Sequence, residues 1–194
     1  MKKRILSCLL ALSMLSVPAL AAESGTENLV RSKTYTGQFS DLPEDHTFYK
    51  NVAALYEYGL SVGQADGTFG LTAPMTVGQT VIFAGRIRSL YRTGDPEAGP
   101  AAFAAAAVSQ KDAWRVYAPY LWYLQSEGVL DKALDDCLTQ PATRAQMAHV
   151  LANLLPEEAL PPINDSLVTQ GYASRRRITD VTEYTPYYQD ILKL

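Results

Sequence analysis

The stretch that decides the fold is Pro141-Ala142-Thr143-Arg144-Ala145-Gln146-Met147-Ala148-His149-Val150-Leu151-Ala152-Asn153-Leu154-Leu155. Thr143 followed three residues later by Gln146 is a capping box, in which each side chain satisfies an amide at the start of a helix. Met147, Val150, Leu151 and Leu154 then recur at i, i+3, i+4 and i+7, which predicts one apolar helical stripe, and Pro156 stops it. Arg144 stands beside the cap, where packing does not require an arginine.

Upstream, the same sequence of signals occurs again. Thr76-Val77-Gly78-Gln79 is a second capping box, and Val81, Ala84, Ile87 and Tyr91 form the stripe of the helix it opens. Before it, Tyr49, Val52, Ala53, Tyr56 and Leu60 keep helical spacing up to Gly59, a residue type that favours the left-handed turn after a helix. The two helices are expected to form a hairpin, joined through Gly63-Gln64-Ala65-Asp66-Gly67-Thr68-Phe69-Gly70, a tight turn. That turn lacks the series of carboxylates a calcium loop needs. Ahead of Thr143, Trp114, Tyr117, Tyr120, Leu121 and Leu124 make a helix face that ends at Gly128. The Gly59-to-Gly128 and Thr76-to-Thr143 separations are nearly equal, so the chain contains an internal repeat of helical units that bury their faces against one another. The aromatics are read mainly as core. A third start follows at Ile178-Thr179-Asp180-Val181, matching Phe39-Ser40-Asp41-Leu42, with Tyr184, Tyr187, Tyr188, Ile191 and Leu192 beginning its helix, and the chain is expected to stop inside this third repeat.

Residues 1–21 read as a secretory signal peptide: Lys2, Lys3 and Arg4, an apolar core from Ile5 to Val17, and Ala19-Leu20-Ala21 as the cleavage signal. The apolar run is too short for the roughly 20 residues of a spanning helix. Its removal takes three cations from a chain with 17 Lys+Arg and 20 Asp+Glu, so the net charge falls from −3 to −6. That balance disfavours nucleic acid as a partner. Cys137 is then the remaining cysteine and no intrachain disulfide can form. His46 and His149 are read as solvated or satisfied side chains, with no metal site and no cofactor expected. No G-x-S-x-G, H-E-x-x-H or paired-carboxylate site is present, and the adjacent Asp135 and Asp136 read as loop solvation, so the chain is not expected to be an enzyme.

The organisation expected from these signals is a flexible leader over 22–38, a first repeat over 39–92, a linker with a short alanine-rich helical connector over 93–108, a second repeat over 109–156, a second linker over 157–177 containing Arg175-Arg176-Arg177, and the start of a third repeat over 178–194.

Phe39-Ser40-Asp41-Leu42-Pro43, Gly59-Leu60 and Asp66-Gly67-Thr68-Phe69 in the first repeat, Gly128-Val129-Leu130 and Thr143-Arg144-Ala145-Gln146 in the second, and Ile178-Thr179-Asp180-Val181 in the third resemble S-layer homology repeats. The resemblance covers most of residues 39–155 and 178–194. It implies a mainly α fold in which helix-loop-helix repeats form a pseudo-threefold spindle, with grooves that bind secondary cell-wall polysaccharide carrying acidic, often pyruvylated, sugars. It implies a secreted, wall-attached protein with cell-wall polysaccharide as partner and no transmembrane segment after signal cleavage. Arg144 is the expected anion contact, since a guanidinium is always charged and offers a planar fork of donors to a carboxylate. Thr143 and Gln146 are expected to hold that corner, by capping or by ligand contact. Asp41, Asp180, Asp66 and Gly67 are expected to shape the grooves, with helix capping as the alternative for the first two. Val77 stands where the family motif has arginine, so the first repeat is expected to have lost its anion contact; Thr47 stands where relatives have tryptophan. Two other readings stay open: a structural or protein-binding repeat without carbohydrate affinity, and the anchoring part of a larger surface hydrolase. Self-association through the incomplete third repeat is a further expectation.

Overall fold

A computed structural model describes residues 25–159 and 180–194. Among the described residues the six α-helices are α1 (Tyr49–Glu57), α2 (Val77–Thr93), α3 (Ala98–Ala107), α4 (Asp112–Ser126), α5 (Arg144–Ala152) and α6 (Tyr188–Lys193), with short 3₁₀ turns at Thr26–Asn28, Asp135–Cys137 and Glu157–Ala159. The described residues form no strand or sheet beyond an isolated bridge, and the fold is mainly α. None of these helices is long and apolar enough to cross a membrane. The expected signal peptide, the Arg175-Arg176-Arg177 run and Ile178-Thr179 lie outside the described residues.

Both capping boxes form. Thr76 Oγ1 accepts the Gln79 amide at 3.1 Å while Gln79 Oε1 accepts the Thr76 amide at 2.8 Å, and Thr143 and Gln146 exchange the same bonds at 3.1 and 2.9 Å. The helix ends are equally local in origin: Gly59, Gly94 and Gly128 take φ of +71°, +77° and +70°, a region that costs glycine little.

The main core lies between α2, α4 and α5, with Val77, Val81, Ala84, Leu121, Leu124, Val129, Leu130, Leu134, Leu138, Val150 and Leu154 buried together. α4 rests on α2 and α3 through tyrosines laid over glycines. A Cβ at Gly78 would stand 2.7 Å from the Tyr117 ring, and one at Gly85 3.0 Å from Tyr120. Glycine is needed there for close approach, not for an unusual φ. The alanine-rich stretch forms α3, which packs against both α2 and α4.

The expected α1–α2 hairpin does not form. α1 and α2 approach one another marginally at most, and α2 packs instead on α3, α4 and α5. The cause is a second, aromatic core that holds α1 by itself: Tyr35, Phe39, Leu42 and Val52 are buried, with Tyr49, Tyr56, Phe69 and Leu71 against them. Tyr35 meets Tyr49 and Tyr56 edge to face at 5.6 and 5.8 Å, the arrangement ring quadrupoles favour. Tyr35 belongs to the stretch expected as a flexible leader. From Gly25 on, that stretch is docked: the Ser32 and Lys33 amides donate to the Glu57 carbonyl at 2.9 and 3.1 Å, and the Gly25 amide to the Tyr91 carbonyl at 3.0 Å.

The start of α2 meets the segment that leads into α5. Thr76 bridges Pro141 in antiparallel fashion. The Val77 and Gly78 amides donate to the carbonyls of Gln140 and Leu138 at 2.9 and 2.7 Å, and the Ala142 amide to Met75 at 2.8 Å. Buttresses further along bind α2 to the ends of α4 and α5. Arg88 donates to Glu127 Oε2 from Nε and Nη2 at 3.2 and 3.0 Å, and from Nη1 to the Leu154 carbonyl at 3.1 Å.

Candidate polysaccharide-binding corner

The expected site residues fall into two separate groups. Asp41, Asp66 and Gly67 build the turn between α1 and α2. Asp41 accepts the amides of Phe69, Gly70 and Leu71 at 2.7, 2.9 and 3.2 Å. These bonds, Phe69's first, hold its carboxyl below the ordinary value of 3.8. Its role is therefore to tie the opening segment to the turn; it does not cap α1. Asp66 accepts the Thr68 hydroxyl at 2.7 Å and amide at 3.0 Å, with its carboxyl likewise held down. Gly67 has φ +80°, and its carbonyl accepts the Ser40 amide at 3.0 Å. The polar groups of this corner are engaged within the chain.

Thr143, Arg144, Gln146 and Asp180 form the other group, where α5 begins beside Asp180. Thr143 Oγ1 also donates to Gln146 Oε1 at 3.1 Å, so both side chains serve the cap. Arg144 is different. Its side chain is 86% exposed, and Nη1 lies 3.3 Å from Asp180 Oδ2, itself 66% exposed. A guanidinium with one solvated carboxylate beside it has donors to offer an anion, and the adjacent helix start favours negative charge.

Position 77 departs from expectation in its physical character. Val77, at the place in α2 that Arg144 holds in α5, is 1% exposed inside the main core. Its amide is spent on Gln140. This corner is thus a packing joint between α2 and the segment before α5, and valine there is a core residue.

The sequence pattern alone missed the contact between α5 and α6. His149 Nδ1 lies 2.7 Å from Asp190 Oδ2, Asn153 Nδ2 donates to Asp190 Oδ1 at 3.1 Å, and Lys193 Nζ donates to Asn153 Oδ1 at 2.9 Å. The His149 ring stacks on Tyr187 at 4.1 Å. His149 Nε2 is buried without a hydrogen-bond partner, with Asp131 Oδ1 4.0 Å away. These residues lie about 40 positions apart, and no short motif signals such a pairing.

Among the described residues no three His, Cys, Asp or Glu side chains gather closely enough to hold a metal ion. Burial, then Asp136 and Asp135, push the Cys137 thiol up, away from the thiolate that nucleophilic chemistry requires.

Residues 38–76 match the S-layer homology domain, a cell-surface module that anchors by binding cell-wall polymers and is not catalytic. The match spans the aromatic core apart from Tyr35, the Asp41–turn tie and the first capping threonine. Neither a curated protein nor a solved structure matches the chain.

Proposed function

With an S-layer homology domain at residues 38–76, we propose that the chain is a non-enzymatic anchor that holds an exported protein on the cell wall by binding secondary wall polysaccharide through acidic, possibly pyruvylated, sugars at Arg144. The signal-like residues 1–21 support export. The observation that carries the site is the 86%-exposed Arg144 guanidinium at the start of α5, partnered by a carboxylate that is itself 66% exposed. A surface pair of this kind contributes about 0–1 kcal/mol, so a sugar carboxylate offering two acceptors in one plane can displace Asp180 at little cost. Thr143 and Gln146 position Arg144 by fixing the first turn of α5. Asp41, Asp66 and Gly67 shape a separate surface on the first repeat by bracing its turn. The joints at α2 with residues 138–142, and at α5 with α6, support the pseudo-threefold spindle, because each places one unit against the next.

A second reading, a structural repeat without carbohydrate affinity, is favoured by the Arg144–Asp180 pair itself, which can serve as a strut to the third repeat. Titration calorimetry with isolated wall polysaccharide separates the two. In the anchor, Arg144→Ala abolishes binding and Asp180→Asn preserves or strengthens it. Equal binding by wild type and Arg144→Ala overturns the assignment of the site.

A further inference from the structure

Among the described residues, His149 Nε2 is the one buried side-chain nitrogen or oxygen without a hydrogen-bond partner. Its ring is stacked on Tyr187 at 4.1 Å, and Nδ1 lies 2.7 Å from Asp190 Oδ2. An ionised carboxylate only accepts, so Nδ1 carries the proton, and in a neutral ring Nε2 is then a lone pair. That lone pair meets no donor: Asp131 Oδ1, 4.0 Å away, is a second acceptor. The place is one proton short, with a carboxylate for each ring nitrogen. The charges around it point the same way. From α6, Asp190 and Tyr187 face the ring, while Lys193 is held on the Asn153 side-chain carbonyl at 2.9 Å. Asp131 comes from the loop after α4, and Cys137, ahead of α5, has its Sγ 3.6 Å from Gln146 Nε2. α2, which also packs on α5, sends Arg88 to Glu127 and the Leu154 carbonyl, and Arg144 on α5 itself turns to Asp180. Two carboxylates therefore approach His149 while these cations are engaged elsewhere. The Tyr187 hydroxyl registers the same surroundings: burial first, then Cys137, Asp131 and Asp190, push it up.

We propose that His149 is a pH-sensitive latch: on taking up a proton it donates to Asp190 from Nδ1 and to Asp131 from Nε2, and so fastens α6 to α5. Histidine is the side chain that ordinarily changes charge between about pH 5 and 8. Closing the Nε2 gap to the roughly 3 Å of a hydrogen bond requires a turn of the Asp131 side chain, which is 71% exposed and has room to move. Burial opposes the charged ring, but two facing carboxylates and the stacked tyrosine favour it. The neutral ring has its own cost, a buried acceptor left unsatisfied. With α6 undocked, water serves the ring in either state. Docking therefore takes up protons and tightens as pH falls. Asp180 belongs to the same 180–194 segment, so the closed latch also keeps it beside Arg144.

The test is amide hydrogen exchange of the folded chain at about pH 5.5 and pH 8, on either side of histidine titration, at matched ionic strength. Rates are expressed as protection factors, which remove the intrinsic dependence of exchange on pH. Protection at residues 191–193 of α6 is expected to be about tenfold higher at the lower pH, the gain of one charge-assisted contact, with α4 amides as the reference for the core. His149→Gln stays neutral at both pH values and keeps a donor for Asp190; its α6 protection is expected to be the same at both, near the wild-type value at the higher pH. Asp131→Asn, a surface change that leaves the core intact, is expected to shrink the wild-type difference, and it tests the latch even if His149→Gln loosens the fold. Equal α6 protection at the two pH values in the wild type overturns the latch. So does a full difference retained in Asp131→Asn, or in a His149→Gln protein whose α4 protection is unchanged. Docking is read directly, so the result stands apart from whether Arg144 binds polysaccharide.

Discussion

Positions 77 and 144 occupy the same place in two capping boxes, and exchanging their chemistry should have opposite consequences. Val77 is 1% exposed, and full burial of such a side chain is worth about 1.5–3 kcal/mol. Val77→Arg loses this, forces a longer side chain into a packed joint at about 1–3 kcal/mol, and brings a charge into the core at several kcal/mol unless it is paired. Partial escape of the guanidinium to solvent reduces that last cost, so the expected loss is at least about 4 kcal/mol. At roughly 2–4 °C per kcal/mol for a chain of this size, melting falls by on the order of 8–16 °C. Arg144→Val removes an exposed side chain and an exposed pair, which costs within about 1 kcal/mol. Thermal melts followed by circular dichroism measure both. A Val77→Arg protein that melts with the wild type and gains polysaccharide affinity would refute the reasoning, because position 77 would then be an open anion corner.

Arg88 is 15% exposed and its partner Glu127 22%. Arg88→Ala takes its only described donor from the Leu154 carbonyl and leaves Glu127 with Arg92, whose Nε lies 3.3 Å from Oε2, so the expected cost is about 1–2 kcal/mol, read as a lower melting temperature; an unchanged melt contradicts the buttress. The Asp41 and Asp66 carboxyls are depressed in the fold, so their contribution is present above the ordinary carboxylate value and is lost as pH falls through the lower folded values. Amide signals of residues 66–71 should therefore keep their folded positions down to about pH 4 and shift only below it; movement between pH 7 and 5 contradicts the tie. Cys137, with its thiol pushed up by burial, should be alkylated by iodoacetamide more slowly at pH 8 than a free thiol; labelling at the rate of free cysteine contradicts that environment.

What the sequence made legible was local. A threonine and a glutamine three residues apart each lie within one turn, and Thr76 and Thr143 cap α2 and α5 as their spacing implies. The glycines that end α1 and α4 carry their conformational preference in themselves. The non-local arrangement was not legible. Val77 reads as a missing arginine until Gln140 is seen across from it, because burial is set by a segment more than 60 residues away. The hairpin expectation failed because an aromatic set drawn from Tyr35, Phe39 and Phe69 claims α1. Tyr35 carries no periodic signal in a polar stretch. Asp41 could have capped a helix as well as tied a turn, and only the amides of residues 69–71 decide between them. Of the candidate corner, Arg144 was identifiable because nothing in a capping box calls for a cation, whereas its contact with Asp180 spans 36 positions.

The most direct measurement of the central claim is co-sedimentation of the folded chain, as wild type and Arg144→Ala, with native cell walls and with walls chemically stripped of their secondary polymer. The account expects wild type to pellet with native walls alone and Arg144→Ala to stay in solution with both. Pelleting of wild type with stripped walls as well as native ones, or undiminished pelleting of Arg144→Ala, would contradict polysaccharide anchoring through this corner.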